Sequence, residues 1–357
     1  MANPITIRSV RKTYGDFVAL EGIDMDIAAG EFMTLLGPSG SGKTTLLMIL
    51  AGFTRPDAGS IQVAGQEIIR MPPHKRDIGM VFQNYALFPH MNVAENVAFP
   101  LKLRKVARAE IETRVRRALA QVQLESFIDR GVDQLSGGQR QRVALARALV
   151  FEPKIVLMDE PLSALDKKLR EEMQIELKHL HDRLGMTTVY VTHDQREALT
   201  MSDRIAVMCK GAIRQLATPR EIYDRPSDQF VADFIGESTF LPVQWDAQGG
   251  ASLAGSAIAS SNPHAAGRGP RFLVVRPEKL EFLNGGEDGY NRISGTVDEI
   301  IFQGEAVLVY VRIGDGNRLA VRKGTRQGVF TSLPVVGQTV TLGLHRDDTI
   351  IVPEMAA

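Results

Sequence analysis

The stretch GPSGSGKTT, residues 37–45, is the clearest indication of the fold of the first part of the chain. It follows the apolar run FMTLL (32–36) and precedes the helical run LLMILAG (46–52). The spacing fits G-x-x-x-x-G-K-[ST], a loop whose backbone N–H groups wrap phosphates at the start of a helix. A purely structural glycine turn would not need the Lys-Thr pair, so the sequence predicts a phosphate-binding loop in an α/β domain.

The side chains of this loop have distinct expected tasks. Lys43 would carry its charge to the β- and γ-phosphates of a nucleotide, and the Thr44 hydroxyl would ligate Mg²⁺. The predicted nucleotide-binding residues of the loop are Gly37, Pro38, Ser39, Gly40, Ser41, Gly42, Lys43, Thr44 and Thr45.

A second apolar run, KIVLMDE (154–160), ends in two adjacent carboxylates. Ligands of open α/β sheets bind at the carboxyl ends of the strands, which is where these acids are expected. Asp159 is predicted to hold Mg²⁺ through water, and Glu160 to act as general base on the attacking water. The alternative is that one or both carboxylates cap a helix, which a phosphate-binding loop in the same chain disfavours.

Composition narrows the class of protein. The chain has 357 residues, of which 44% are hydrophobic, and its 42 Lys and Arg balance 42 Asp and Glu. Zero net charge gives no argument for nucleic acid as a partner. The single Cys209 excludes an internal disulfide. No apolar run reaches the roughly 20 residues that span a bilayer, so we expect any membrane role to go through a partner.

The periodicity of the chain predicts two domains. Residues 1–236 alternate apolar strands with helical stretches, which indicates a mainly parallel buried sheet with a helical subdomain at about 84–150. Residues 237–357 change to a period of two and are predicted to form a small antiparallel barrel resembling an OB-fold. The Gly-, Ala- and Ser-rich residues 246–270 are predicted to be a linker or long loop.

The stretch LSGGQ (135–139) predicts a second phosphate-binding helix start, because a Ser-Gly-Gly turn opens onto the helical run RQRVALARAL. Its alternative is a plain helix cap and turn. His193 follows the strand TTVYV and is either structural or a hydrogen-bond donor to the γ-phosphate or the attacking water. Tyr14, in KTYG, is either ordinary packing or a ring that stacks on adenine.

These pieces, in this order, resemble the ATP-binding subunit of an ABC transporter, of the importer type with a C-terminal TOBE domain. The resemblance covers essentially the whole chain. It is carried by Tyr14 as the A-loop, GPSGSGKT (37–44) as Walker A, Gln83 in VFQNYALF as the Q-loop, LSGGQ (135–139) as the signature, IVLMDE (155–160) as Walker B, SALD (163–166) as the D-loop and His193 as the switch histidine.

The resemblance implies an ATPase that binds ATP and Mg²⁺. It implies two copies that meet head to tail, with LSGGQ of one closing over ATP on Walker A of the other. The implied site residues are Glu160, His193, Lys43 and Gln83 for catalysis, Thr44, Gln83 and Asp159 for the metal, and Tyr14, Ser136, Gly137, Gly138 and Gln139 beside the loop for ATP.

The resemblance also implies partners: two membrane-spanning permease subunits, an extracytoplasmic solute-binding protein, no nucleic acid, and a peripheral location on the cytoplasmic face of the inner membrane. The apolar cluster between Tyr85 and Met91 either packs inside the helical subdomain or receives a coupling helix of the permease. The TOBE-like barrel, which includes VVRPEKL (274–280), either binds a regulatory ligand or lengthens the dimer interface.

Within importers, the chain is most similar to the spermidine/putrescine uptake group. VFQNYALFPHMNVAENVAF (81–99), VTHDQREALTMSDRIAVM (191–208) and FIGE (234–237) carry that similarity. Importers of ferric iron, thiamine, phosphonates or sugars remain alternatives. A soluble ABC ATPase acting on ribosomes or DNA is a further one, which the single set of motifs and the absence of sustained heptads disfavour. The complete set of catalytic residues argues against an inactive regulator.

Overall fold

The structure is a computed structural model and describes residues 2–245, 250–253, 256–261, 270–314, 316–326 and 333–355. The chain divides into two units, Met1–Pro219 and Arg220–Ala357. The strands of the first unit are β1 (Ile5–Tyr14), β2 (Phe17–Ile27), β3 (Phe32–Leu36), β4 (Ala58–Val63), β5 (Gln66–Glu67), β6 (Ile78–Val81), β7 (Ile155–Asp159), β8 (Thr187–Thr192), β9 (Arg204–Cys209) and β10 (Ala212–Ala217). Its helices are α1 (Lys43–Ala51), α2 (Val93–Leu103), α3 (Arg108–Gln121), α4 (Gly137–Leu149), α5 (Lys167–Leu184) and α6 (Gln195–Met201).

A six-stranded sheet in the order β10-β9-β3-β8-β7-β6 forms the centre of the first unit. Its strands are parallel except for β10, which pairs antiparallel with β9. Leu36 pairs with Thr192, and Asp159 with Val191. This register brings the ends of β3, β7 and β8 to the same edge of the sheet. The predicted parallel α/β sheet is therefore confirmed, and it gathers the loop after residue 36, Glu160 and His193.

A second sheet of four antiparallel strands, β2-β1-β4-β5, was not anticipated from the sequence. Buried side chains of β1 and β2 share one core with α1 and the central strands, including Ile7, Leu35, Leu46 and Leu47. Burying each such side chain contributes about 1.5–3 kcal/mol. This core encloses α1, and so it fixes the position of the loop that precedes the helix.

The helices α2, α3 and α4 lie within the predicted helical segment and pack on the other side of the central sheet. Their core includes Val97, Leu119 and Val143 together with Phe32 and Tyr190 of the sheet. The solvent face of α3 carries the ion pairs Glu110–Arg114 and Glu112–Arg116, one helical turn apart. Among the helices of the described ranges, none is long and apolar enough to cross a bilayer.

The second unit is built of antiparallel strands, as predicted, after two short helices. The helices are α7 (Pro219–Asp224) and α8 (Gln229–Phe234). The strands are β11 (Thr239–Pro242), β12 (Gln244–Trp245), β13 (Ala251–Leu253), β14 (Ser256–Ile258), β15 (Arg271–Val275), β16 (Leu280–Leu283), β17 (Tyr290–Phe302), β18 (Ala306–Ile313), β19 (Arg318–Gly324), β20 (Thr339–His345) and β21 (Ile350–Pro353). They form sheets of the orders β11-β15-β21, β12-β13-β14 and β16-β20-β17-β18-β19 around one core.

The prediction of a linker or loop at 246–270 is wrong for the part that the structure describes. Strands β13 and β14 pair there, and Ala251 and Leu253 are buried in the core of the strands. Their alternation with Ser252 is a short strand pattern that the surrounding small residues concealed. Residues 246–249, 254–255 and 262–269 of the predicted linker lie outside the described residues.

The division between the units falls at residue 219, earlier than the predicted boundary after residue 236. Ala232 of α8 is buried against Val274 and Val352 of the strands. Arg276 donates to the carbonyl of Ile235 at 2.6 Å. Gly236 has φ 87, and a Cβ there would collide with the same guanidinium. The predicted stretches FIGE and VVRPEKL therefore meet within the second unit, which sequence periodicity does not reveal.

Candidate active site

The loop between β3 and α1 depends on glycine at both ends. A Cβ at Gly37 would overlap the Met208 carbonyl, and one at Gly42 would lie 2.5 Å from the Ala19 carbonyl. Gly42 is also the residue before α1 and has φ 98, a left-handed value that glycine adopts without strain. In the part of the chain that the structure describes, no side chain caps this helix start. Its first N–H groups are therefore available to an anion.

Lys43 lies inside this loop and is 5% exposed. Its Nζ donates to the carbonyls of Gly37 at 2.8 Å and Pro38 at 2.9 Å, and lies 3.4 Å from Ser41 Oγ. Burial lowers the pKa of Lys43, and nearby carboxylates oppose that shift. A cation in the first turn of a helix faces the positive end of the helix dipole. The loop thus concentrates positive potential that an anionic ligand would offset.

The remaining residues complete the predicted phosphate-binding loop. Ser41 is buried, donates its N–H to the Pro38 carbonyl at 3.3 Å and accepts from the Gly211 N–H at 3.2 Å. Ser39 and Gly40 are exposed at its tip, where Gly40 has φ 79, and Thr45 is half-buried in the first turn of α1. The nine residues predicted from the sequence therefore form the loop and the first turn of α1.

Thr44 and Asp159 supply neighbouring oxygen atoms. Thr44 Oγ1 donates to Asp159 Oδ1 at 3.1 Å, although the two residues come from different parts of the chain. Burial raises the pKa of Asp159, while the bond from Thr44 acts in the opposite sense. Mg²⁺ binds through one or two protein oxygens together with phosphates and water. A hydroxyl and a carboxylate in contact beside a phosphate-binding loop fit that cation.

Glu160 occupies a strained position directly after β7. Its φ of 43 is left-handed, which a residue with a side chain rarely adopts. The Glu160 N–H donates to the Val191 carbonyl at 3.0 Å. The Glu160 carbonyl accepts from the Ser163 N–H at 3.2 Å and from Ser163 Oγ at 2.9 Å. These bonds hold the conformation that directs the carboxylate.

Gln83 and His193 converge on one oxygen of that carboxylate. Gln83 Nε2 donates to Glu160 Oε2 at 3.4 Å, and His193 Nδ1 lies 3.1 Å from the same atom. The His193 side chain is 57% exposed, so its ring is accessible beside the loop. Both contacts go to Oε2, which leaves Oε1 available to a water molecule. The structure therefore brings together, at this edge of the sheet, the six residues predicted to be catalytic or metal-binding: Lys43, Thr44, Gln83, Asp159, Glu160 and His193.

Tyr14 lies at the tip of the hairpin formed by β1 and β2. Its side chain is 51% exposed, and Lys12 Nζ lies 5.2 Å from its ring centroid. Phe17, which pairs with Tyr14 across the turn, is 58% exposed and was missed by the sequence analysis. The turn Gly15-Asp16 between two apolar-periodic runs was the signal that would have found it. The hairpin therefore presents two aromatic rings rather than one.

The second predicted phosphate-binding helix start is the start of α4. Ser136 Oγ accepts from the Gln139 N–H at 3.3 Å, and Gln139 Oε1 accepts from the Ser136 N–H at 2.9 Å. This reciprocal pair is a capping box. Gly137 and Gly138 follow the cap, and a Cβ at Gly138 would lie 3.0 Å from Leu169 Cδ2. The predicted cap and the predicted anion site are therefore compatible, because the cap leaves other N–H groups of the first turn free.

Comparison with known proteins agrees with this geometry. The profile of the family described as "ABC transporter" matches residues 20–163, and that of the "TOBE domain" matches residues 273–352. The chain is 47% identical over 331 residues to the spermidine/putrescine import ATP-binding protein PotA of Ruegeria pomeroyi, covering 90% of this chain and 89% of that protein. It is 44% identical over 359 residues to PotA of Thermotoga maritima, covering 98% and 97%.

The chain belongs to the ABC transporter family. Among solved structures, it is similar to a dimeric post-hydrolysis state of the ATP-binding cassette MJ0796 bound to ADP and Pi, with a TM-score of 0.55 and 35% identity. That match covers 60% of this chain and 99% of the cassette. The predicted recognition and fold class, an ABC ATPase fold followed by a β-stranded TOBE domain, are confirmed. The stretches 37–44, 135–139 and 155–160, predicted to be Walker A, signature and Walker B, all lie within the residues that the ABC transporter profile matches.

Arg170 connects the D-loop to the region of the switch histidine and was not found from the sequence. Its Nη2 donates to the Leu165 carbonyl of the D-loop at 2.9 Å, and its Nη1 lies 3.2 Å from Asp194 Oδ2. Asp194 follows His193 and caps α6. Nothing in the spacing of Arg170 marks it, because its partners come from two other segments. One guanidinium therefore ties the backbone of the D-loop to the carboxylate of the residue that follows His193.

The apolar cluster after the Q-loop glutamine is divided between the two predicted alternatives. Tyr85 is buried and Leu87 packs against the core of the helical segment. Phe88 is half-buried, with its ring centroid 4.5 Å from that of Phe99. Pro89 is exposed. The first half of the cluster is thus core, and the second half reaches the surface.

An open groove of about 700 Å³ lies between α2 and α3. Apolar side chains from both helices line the groove, and charged side chains lie among them. The apolar members include Ala98, Val106, Ile111 and Val115, and the charged ones include Lys102 and Arg116. An apolar floor with a charged rim is typical of a surface that receives an amphipathic helix.

Proposed function

We propose that the chain is the ATP-hydrolysing subunit of an importer and that its cargo is a polyamine. The observation that carries the ATPase function is the set of contacts at the strand ends. There Gln83 and His193 approach one oxygen of Glu160, beside Lys43 and the Thr44–Asp159 pair. This arrangement can bind a triphosphate, neutralise its charge and position a base for water.

Binding relies on the uncapped start of α1 and on Lys43. The loop N–H groups and the ammonium would contact the β- and γ-phosphates, and Tyr14 with Phe17 would stack on adenine. Thr44 and Asp159 would hold Mg²⁺, with Gln83 completing the set, and the cation would neutralise part of the phosphate charge. The proposed role of Lys43 explains why a buried cation is tolerated in the first turn of a helix.

Hydrolysis relies on Glu160. Its Oε1 would accept the proton of the water that attacks the γ-phosphorus, while Oε2 stays held by Gln83 and His193. The exposed His193 ring would donate to the γ-phosphate. The strained backbone of Glu160, fixed by Ser163, pre-organises this carboxylate before ATP arrives.

The start of α4 is proposed to complete the site of a second copy of the chain. Ser136 Oγ accepts its cap bond, so the hydroxyl proton remains free to donate to a γ-phosphate oxygen. A two-fold dimer would place two ATP molecules in equivalent interfaces. The dimeric arrangement of the MJ0796 cassette supports this proposal.

The remaining partners are proposed from the surface groove and from the names of the relatives. In each copy of the dimer, the groove between α2 and α3 and the exposed half of the Q-loop cluster would receive a coupling helix from one of two membrane-spanning permease subunits. An extracytoplasmic solute-binding protein would deliver the cargo. This arrangement places the chain at the cytoplasmic face of the inner membrane as a peripheral subunit. Relatives named as spermidine/putrescine import proteins, at 44–47% identity over at least 90% of this chain, support polyamine as cargo.

The experiment that tests this proposal is capture of the full complex. Tagged Glu160→Gln chain, with ATP, would be purified from detergent-solubilised membranes and its partners identified by mass spectrometry. The co-purified wild-type complex, reconstituted in liposomes with internal ATP, should accumulate labelled putrescine or spermidine. Ribosomal proteins in place of permease subunits would contradict the importer function. Uptake of iron, thiamine, phosphonate or sugar in place of polyamine would correct the cargo.

A further inference from the structure

The backbone just after Gln83 turns through two strained residues. Tyr85 and Ala86 have φ of 59 and 47, left-handed values in consecutive residues that are not glycine. Such conformations cost free energy and persist where surrounding groups hold them. The buried Tyr85 side chain is one anchor. A second anchor must act on the backbone itself.

Arg147 of α4 provides that anchor. Its Nη2 donates to the Tyr85 carbonyl and its Nη1 to the Ala86 carbonyl, each at 2.7 Å. The planar guanidinium matches two neighbouring acceptors, which a lysine ammonium cannot do in the same geometry. Its carbon centre also lies 5.5 Å from the Phe88 ring centroid. Burial lowers the pKa of Arg147, whereas the two carbonyls that accept its hydrogen bonds favour the charged guanidinium.

The next residues of the same segment are held by α2. The fully buried Asn96 accepts from the Phe88 N–H at 2.9 Å and donates to the carbonyls of Phe88 at 3.1 Å and Met91 at 3.2 Å. The segment between Gln83 and α2 is therefore fixed to the helical segment at two places. Arg147 is the one of the two that belongs to the helix of the signature.

The other end of α4 carries LSGGQ. The helix has 13 residues, which corresponds to about 20 Å, and Val143 and Ala144 in its middle are at most 1% exposed. A packed helix moves as a unit, because its interior side chains cannot slide independently of their neighbours. A displacement of the Q-loop carbonyls would therefore move the capped start of α4 at Ser136.

We propose that Arg147 is a positioning residue that makes the signature of α4 follow the position of the Q-loop. Gln83 contacts the catalytic carboxylate, the exposed half of the cluster faces the proposed permease contact, and LSGGQ faces the ATP of the second copy. One side chain thereby links the state of the ATP site and the partner to closure of the dimer. This inference rests on the proposed function.

The test uses the full chain carrying Glu160→Gln, which should bind ATP without consuming it. Arg147→Met removes the fork and keeps the length of the side chain. Arg142→Met is the matched control, because Arg142 lies on the same helix but pairs with Glu176 at 2.8 Å. Arg147→Lys keeps the charge without the fork, and it is the variant to use if Arg147→Met does not fold.

Two measured quantities distinguish a positioning role of Arg147 from a general loss of stability. We expect the ATP affinity of the monomer to stay within about twofold, while the protein concentration needed for ATP-driven dimerisation rises about tenfold in Arg147→Met and less in Arg147→Lys. Arg142→Met should match its parent. In hydrogen exchange, ATP should protect amides 84–88 and 135–140 together in the parent and only the first group in Arg147→Met.

Different contrary outcomes would contradict different claims. Equal behaviour of Arg147→Met and Arg142→Met would overturn the inference, as would an equal loss of ATP binding and dimerisation, which marks a general structural role. A parent chain that does not bind ATP, or that stays monomeric at saturating ATP, would instead overturn the proposed function and this inference with it.

Discussion

The starts of α1 and α4 both offer backbone N–H groups to an anion, but they are built in opposite ways. The start of α1 has no capping side chain among the described residues, follows a left-handed glycine and buries Lys43 in its first turn. The start of α4 has a complete capping box between Ser136 and Gln139. The first start leaves its backbone N–H donors uncapped and adds a cation that oxygen atoms of the loop hold, whereas the second start satisfies its own cap.

This difference indicates which kind of ligand each helix start can bind. We propose that a polyphosphate completes the start of α1, where the loop of the same chain would hold it. The start of α4 is stabilised by its own cap in the free chain. Its hydroxyl proton and its remaining N–H groups are still available as hydrogen-bond donors. A capped start is suited to a ligand that arrives already bound to another copy. The predictions below test that distinction.

The largest effect is expected from Lys43→Ala, which removes the cation from the uncapped start. ATP hydrolysis should fall by at least about 100-fold and ATP affinity should fall with it, because the positive potential of the loop is lost. Phosphate release and labelled-nucleotide binding measure the two quantities, with circular dichroism as the control for folding. Turnover within tenfold of the wild type would remove this loop as the catalytic site.

The next effect separates binding from chemistry. Glu160→Gln should lower turnover about 10²–10⁴-fold, since the base is lost, while ATP binding remains. With ATP retained, both helix starts stay engaged, so the chain should accumulate as a dimer in sedimentation or size-exclusion experiments. Ser163→Ala serves as a control that weakens the support of Glu160 without removing its carboxylate. A Glu160→Gln chain that stays monomeric with saturating ATP would contradict the role of α4.

The sequence was sufficient for the parts of this site that are local. Walker A is recognisable because strand, loop and helix are consecutive, and Glu160 because an apolar strand ends beside it. The antiparallel sheet of β1, β2, β4 and β5 was missed because runs such as ITIRSVRKTY carry polar and basic residues among few buried ones. Its hairpin carries Phe17 next to Tyr14, so the second ring was missed with it.

Residues that belong to no local motif and act only through partners distant in sequence could not be found. Arg147 binds a carbonyl 61 residues away, and Arg170 joins the D-loop to Asp194. In the sequence, each of them resembles any other arginine of a helix, and only the tertiary packing reveals its contacts. The short pair β13–β14 was hidden for a related reason, since burial of Ala251 and Leu253 is decided by the strands that cover them. Tertiary contacts, rather than local propensity, determine these features.

A smaller effect is expected from Ser136→Ala. The variant loses the cap bond, which costs about 1 kcal/mol of stability, and also the hydroxyl proposed for the second copy's ATP. Asn92→Ala is the matched control, because Asn92 forms the same kind of capping box with Glu95 at the start of α2. We expect both variants to lose similar stability in urea unfolding. The Ser136 variant alone should raise the concentration for ATP-driven dimerisation, by about tenfold. Equal dimerisation of the two would leave the start of α4 with a capping role only.

The smallest effect is expected from removing the second unit, because both helix starts lie in the first. A chain ending at residue 219 should bind ATP within about twofold of the full chain, since no group in the loop, Glu160 or His193 is lost. A chain ending at residue 236 is the control. It would keep Val231 and Ala232, which are fully buried in the full chain, without the strands that cover Ala232. That control should bind ATP equally but expose apolar surface, which a fluorescent hydrophobic dye detects. If the shorter chain lost ATP binding while the longer one kept it, the first unit would need residues 220–236, and its boundary would lie where the sequence first indicated.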